Sequence, residues 1–409
     1  VPISFACWCG NFLRFEDEWG GRQANCPHCG RALLIPFASL PAPTQGKAPT
    51  AASGRSTEQV LPPNRPHFLR KYAYFALLLT LVPLVFSLFG SRPEPVNERL
   101  WRTIDAAPPE VSQRAVAAIG EINQGKAEFD SLFDILPGGR IDGAHLSRKT
   151  YFHWLYAALA AAAFFGLTLL LAPGKNVRPS SVFFTGIFTG TIGVLLLLAT
   201  QLIAEHTPLV VVFGGNPVVT VLYWLALAVG YSYRAALNPD NGFLPSFLGY
   251  TFGIGLCEEV CKALPVIWYY RRDEGADWRV ALTWGLASGV GFGIAEAVRY
   301  SADFYNGMAP AGTYVVRFIS CVGLHATWSG AVALFIHRHY LIILGELEWY
   351  EYIPRVLFLV AAAAVLHGLY DTALKKEMNA VALLAAVASF AWLAWCLEAA
   401  RAAEAAAAT

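Results

Sequence analysis

Residues 246–270 read SFLGYTFGIGLCEEVCKALPVIWYY. The stretch is long and apolar enough to cross a bilayer core, which takes about 20 helical residues. Yet Glu258, Glu259 and Lys262 sit near its middle. An ionisable side chain at that depth costs about 2.5–3.5 kcal/mol on insertion scales, so these groups must face a polar interior and not lipid. Three later apolar stretches carry the same kind of interruption. They are Phe292-Gly293-Ile294-Ala295-Glu296, His325-Ala326-Thr327-Trp328-Ser329 and His367-Gly368-Leu369-Tyr370-Asp371. Polar groups on several apolar helices, each needing a partner that lipid cannot supply, predict a helical bundle with one shared interior.

The rest of the chain agrees. Of 409 residues, 56% are hydrophobic and only 14% are charged, and the mean hydropathy is +0.45, too apolar for an ordinary soluble protein. The formal charge of +1 gives no general attraction for nucleic acid, so the bilayer is the expected surroundings. The 12 Trp and 17 Tyr include several at the ends of apolar runs, where interfacial aromatics belong. Spans are expected near 72–90, 151–172, 182–204, 216–236, 246–270, 280–301, 314–337, 353–373 and 378–401. The fold class that follows is all-α: a polytopic membrane helical bundle of about eight or nine transmembrane helices. Its first helix is 72–90 and its multi-span domain is 151–401. Residues 91–150 are polar, with Pro and Gly breaks, and read as a soluble loop. A cap, a substrate-docking element and a helical spacer all fit it.

Sidedness turns on 216–236, because Pro208, Gly214, Gly215 and Pro217 leave room for a re-entrant segment there. Arg65, Arg70 and Lys71 before the first span favour a cytoplasmic N-terminus. If 216–236 crosses, Arg271 and Arg272 fall outside, against the rule. If it does not, they fall inside, but Lys375 and Lys376 move out.

At the front, Cys7-Trp8-Cys9-Gly10 and Cys26-Pro27-His28-Cys29-Gly30 form two close pairs. Cys7, Cys9, Cys26 and Cys29 predict a four-thiolate structural zinc site, and residues 1–36 a small zinc-ribbon module that needs its metal to fold. Disulfides would be the alternative in an oxidising compartment; a cytoplasmic side keeps the thiols reduced. Residues 37–71 are rich in Pro, Ala, Gly, Ser and Thr and read as a flexible linker. Cys257, Cys261, Cys321 and Cys396 are scattered in apolar helices and read as small core residues.

Within the bundle, Glu258 and Lys262 are one helical turn apart, and Glu259 is adjacent. A lysine beside two carboxylates makes them inequivalent, as acid–base chemistry requires. The same three residues also suit a structural ion pair. Glu296 is followed by Arg299 and Tyr300, which alone would predict a helix-end Glu296–Arg299 pair. His325 lies one turn from Ser329, and His367 one turn from Asp371, where a carboxylate can orient the imidazole. Helices adjacent in sequence run antiparallel, so the four clusters can meet at one depth, displaced toward one face.

The ordered set Glu-Glu-x-x-Lys, Phe-x-x-x-Glu, His, His-x-x-x-Asp resembles the PrsW family of intramembrane proteases, over about residues 245–375. The resemblance implies that this core hydrolyses a peptide bond in a membrane-associated protein; in founding members the substrate is an anti-sigma factor. It also implies a bacterial inner or plasma membrane, and the basic residues before the first span put the ribbon on its cytoplasmic side. Two mechanisms fit. In one, Glu258 or Glu259 activates water, His325 and His367 stabilise the oxyanion or pass a proton, Lys262 tunes the carboxylates and Asp371 orients His367. In the other, Glu259, Glu296, His325 and His367 hold a catalytic zinc and Glu258 is the base. A transporter and a non-catalytic membrane scaffold are the rivals from other classes. The substrate and oligomeric state are not encoded in any motif here.

Overall fold

The computed structural model describes residues 3–6, 12–27, 32–35, 67–90, 94–171, 177–207, 217–272, 277–343 and 348–408. At the N-terminus, β1 (Ile3–Ala6) pairs antiparallel with β2 (Phe12–Phe15), and β3 (Gln23–Asn25) with β4 (Ala32–Leu34). Ile3, Leu13, Cys26, Leu33 and Ile35 form their small core. Cys7, Cys9 and Cys29 and the linker stretch 37–66 lie outside the described residues.

Among the described residues, every regular element after these strands is a helix. The expected first span is broken in two, α1 (His67–Leu79) and α2 (Val82–Phe89). Pro83 is the cause. It lacks an N–H and is tolerated only in the first turn of a helix, so the helix restarts there. Next, α3 (Val96–Asp105) and α4 (Pro109–Asn123) fold over Leu132, Phe133, Leu136 and Ile141 into a compact unit with its own core. The stretch expected to be a soluble loop is therefore an ordered cap.

Among the described residues, seven helices are long and apolar enough to cross a membrane. They are α5 (His153–Leu171), the pair α6 (Pro179–Phe188) and α7 (Val194–His206), α8 (Pro217–Leu237), α11 (Trp278–Tyr300), α12 (Ala311–Val315) leading into α13 (Val322–His339), α14 (Trp349–Lys375) and α15 (Asn379–Ala408). Between α8 and α11, α9 (Phe243–Gly249) and α10 (Leu256–Arg272) form one continuous helical run that carries Glu258, Glu259 and Lys262. Turns of π-helix join α6 to α7, α9 to α10 and α12 to α13, and extend α11 through Tyr305. Each adds a residue to a turn and re-aims the side chains beyond it.

Close approach of backbones sets the centre of the bundle. A methyl group on Gly289 of α11 would lie 2.2 Å from the His325 carbonyl oxygen of α13, so only glycine lets these antiparallel helices meet. The opposite side of α11 meets α6, where Gly291 touches Gly186. As a result α11 and α13 are buried almost throughout, while α5, α7, α8 and α15 turn large apolar side chains outward, as lipid-facing helices do.

The cap fixes the two faces of the bundle. Its backbone at Ile141 and His145 hydrogen-bonds to Gly307 and Ala309, both at 2.9 Å, in the turn between α11 and α12. The C-terminal end of α14 is on that same face. There Lys375 and Lys376 donate to the carbonyls of Ala236, in the last turn of α8, and of Asn238 and Asn241 just beyond it. On the opposite face, Tyr270 meets His337 at 2.7 Å and Arg279 meets Glu404 at 2.7 Å. The α6–α7 run is parallel to α11, with contacts Ser181–Trp284, Thr189–Ser288 and Gly190–Gly291, so it runs toward the cap face. Near its end Ala204 touches Gly230 of α8. The ends of α7 and α8 thus lie on one face.

Candidate active site

Four helices converge on one buried cluster. From α10 come Glu258, Glu259 and Lys262; from α11, Glu296; from α13, His325; from α14, His367 and Asp371. The structure brings all seven sequence-predicted residues together. Lys262 is at the centre, with no exposed side-chain surface. Its Nζ donates to Glu259 Oε1 at 2.6 Å and to His325 Nδ1 at 2.9 Å, and lies 3.7 Å from Glu258 Oε2. An ammonium only donates, so His325 Nδ1 accepts and its proton is on Nε2. That Nε2–H then donates to Glu296 Oε2 at 2.7 Å. The Lys262 charge also lies 4.8 Å from the centre of the Phe292 ring, an apolar wall with a cation–π attraction.

His367 faces a carboxylate at each ring nitrogen. Nδ1 is 3.1 Å from Glu259 Oε1; Nε2 is 3.4 Å from Asp371 Oδ2 and 3.8 Å from Glu258 Oε2. The carboxylate nearest to it is therefore Glu259, while Asp371 makes a looser charge contact than the spacing suggested. Trp328 stacks on the imidazole, with centroids 4.3 Å apart, and is itself held by its Nε1–H donating to Ser389 Oγ at 2.8 Å. The rings of His325 and His367 stand edge to face, 5.4 Å apart.

Two sequence expectations change. Glu296 does not pair with Arg299, which reaches outward to Asp303 at 3.5 Å. Its partner is Arg317, in the π-helical turn Val316–Cys321, at 2.6 Å. Arg317 was not singled out in the sequence, because it is 21 positions from Glu296 and one basic residue near a span's start looks interfacial. Ser329, one turn from His325, has a buried hydroxyl with no hydrogen-bond partner, as do one oxygen each of Glu258 and Glu259 and the Tyr370 hydroxyl.

The cluster is thus a buried set of interlocked carboxylates, imidazoles and one ammonium. Residues 182–396 match the PrsW family intramembrane metalloproteases. The chain belongs to the PrsW family. The matched region holds every residue of the cluster and leaves out the N-terminal hairpins and the cap. No curated protein and no solved structure matches the chain.

The family description raises the question of a metal. Glu258, Glu296 and His325 each offer one ligand atom, all within 4.8 Å of one another, and Glu258 Oε2 is buried without a partner. Two carboxylates and an imidazole are a donor set that zinc accepts. Charge points the same way, since Glu258, Glu259, Glu296 and Asp371 face only Lys262 and Arg317 as permanent cations. The donors therefore fit a divalent ion in type, spacing and charge. Against this, a ligating imidazole usually donates its other N–H to an acceptor, whereas His325 meets the Lys262 donor there.

Proposed function

We propose that the chain is an intramembrane peptidase that hydrolyses a peptide bond of a membrane-associated protein, with Glu258 as the base that activates water. The observation that carries this is the inequivalence of the two adjacent carboxylates. Glu259 is fully buried and has one oxygen shared between Lys262 and His367, whereas Glu258 Oε2 accepts no hydrogen bond and its side chain keeps 7% of its surface exposed. A base needs a lone pair not already engaged, and Glu258 Oε2 has one.

In this scheme Glu258 takes a proton from water as the oxygen attacks the scissile carbonyl. His325, whose Nε2–H rests on Glu296 before substrate binds, and His367 are the candidate donors for the oxyanion and the leaving amine, and the proton taken up by Glu258 is returned to the amine through His367, 3.8 Å away. Lys262 balances the carboxylates, Glu259 and Asp371 hold His367, and Phe292 and Trp328 exclude water around it. A regulator such as an anti-sigma factor would suit a protease of this kind as substrate.

A second version is favoured by the clustering of Glu258, Glu296 and His325, which would hold a zinc ion. When bound, such an ion would polarise the carbonyl and acidify a water. In that version the same Lys262 and Glu259 contacts set the charge and orientation of the ligands. We propose separately that Cys7, Cys9, Cys26 and Cys29 hold structural zinc on the cytoplasmic side, in a module spanning 1–36 and joined by a 37–71 linker. The spacing of the two cysteine pairs carries this reading.

The test uses the purified chain in proteoliposomes with single-span fluorescent reporter proteins, cleavage being read on a gel. Wild type should yield a fragment and Glu258→Gln should not. Full cutting by the variant sinks the assignment, and solute uptake without cutting would favour a transporter. Metal content is measured on the chain with and without residues 1–36. One zinc lost with the module and none remaining supports the metal-free scheme; one retained, and lost in His325→Gln, supports the second version.

A further inference from the structure

We propose that Arg317 is a positioning residue of this site, which holds the Glu296 carboxylate so that its second oxygen faces His325. Glu296 Oε1 accepts from the Arg317 guanidinium at 2.6 Å, and Glu296 Oε2 accepts from His325 Nε2 at 2.7 Å. The two oxygens are thus divided between one cation and one catalytic imidazole.

The seat of the guanidinium is built by α11. Glu296 and Tyr300 are one turn apart; the first binds an edge of the planar group, and the ring of the second lies under its face, 3.8 Å from Cζ to the centroid. Stacking on a ring while binding a carboxylate is what a planar guanidinium does and a lysine ammonium does not. No other described cation neutralises Glu296. Lys262 is engaged with Glu259 and His325, and Arg299 with Asp303. Arg317 also lies in a π-helical turn, the local irregularity that most often marks a functional position.

Position adds a second argument. Among the charged members of the cluster, Arg317, Glu296 and Asp371 keep exposed side-chain surface, 14%, 20% and 24%. Glu258, Glu259, Lys262, His325 and His367 are nearly sealed. Arg317 therefore stands at the mouth. From there a relay runs inward through Glu296, His325, Lys262 and Glu259 to His367. Losing the outer member leaves the Glu296 carboxylate free to turn, and His325 loses its fixed acceptor.

The activity arm of the test rests on the hydrolytic reading; the spectroscopic arm does not. In proteoliposomes with a reporter that wild type cleaves, Arg317→Met should lower kcat by about 10–100-fold, the usual cost of removing an outer partner of a site residue. KM should stay within about threefold, and Arg317→Lys should recover part of the loss. In parallel, nitrogen NMR of isotope-labelled histidine, with the His325 signal assigned by its loss in His325→Gln, reads the ring environment without substrate. Arg317→Met should shift that signal. Tyr300→Leu, which removes the stack and keeps the charge, should shift it in the same sense and serves if Arg317→Met does not fold. Turnover within twofold of wild type, or an unmoved His325 signal in a folded variant, overturns the proposal. If no reporter is cut by wild type, the hydrolytic reading fails while the histidine signal still decides the role of Arg317.

Discussion

Lys262 shows how one residue can hold such a centre together. It touches Glu259, Glu258 and His325, each from a different direction, with two aromatic rings behind it. Removing one partner of a buried ion pair leaves the other charge unpaired, at a cost of about 3–5 kcal/mol. Lys262→Met should therefore lower the thermal stability of the purified protein markedly, and a melting curve that overlays wild type would contradict the neutralising role. Glu259→Gln differs, because Lys262 still has Glu258 within 3.7 Å. It should leave the melt close to wild type and cut reporter turnover by about 10–100-fold, the cost of removing a partner that orients a site histidine. The seven charged residues of the site were legible in the sequence, since each interrupts an apolar helix where lipid would penalise it. Arg317 was not, because its meaning comes from Glu296 on another helix and nothing local to it is unusual.

At the scale of elements, helix contacts decide where those side chains meet. The α11–α13 seam brings Glu296 and His325 within hydrogen-bond reach because Gly289 lets the backbones touch. A larger side chain there must push the helices apart, and overpacking of this kind costs about 1–3 kcal/mol. Gly289→Val should lower both the melting temperature and reporter turnover. Gly312→Ala, where an added methyl meets nothing within 4 Å, should change neither. Equal behaviour of the two variants would mean that the seam does not position His325. Hydropathy placed the helical stretches well, since lipid selects for length and apolarity. It missed the break at Pro83 and the four π-helical turns, because hydropathy averages over local backbone geometry. The cap was open in the sequence for a related reason: its core of Leu100, Ile104, Leu132 and Phe133 is gathered from segments that show little periodicity individually.

At the scale of the whole molecule, the open question was sidedness, and helix packing bears on it where charge counting did not. The ends of α7 and α8 lie on the cap face, so we propose that Thr207 and Leu237 share one side of the bilayer and that the described helical runs make eight net crossings. With that topology Arg178, Arg271, Arg279, Arg338 and Arg401 gather on the face opposite the cap, as the positive-inside rule asks of a cytoplasmic side. Lys375 and Lys376 are among the basic residues on the cap face, with Arg148, Lys149, Arg234 and Arg299, and both donate to backbone carbonyls at the end of α8. The mouth of the site, at Arg317 and Asp371, then opens toward the cap face. Short epitope tags inserted after Gly125, Thr207 and Asp240 should share one protease-protection pattern in sealed vesicles, and a tag at the C-terminus should show the opposite one. A tag at 207 that follows the C-terminal pattern would place the end of α7 on the other face and overturn the eight-crossing arrangement. A common pattern for all four tags would contradict the placement of the cap. The same vesicles carrying a cleavable reporter test the mouth: the fragment tagged beyond the cut should appear on the side that protects or exposes the Gly125 tag.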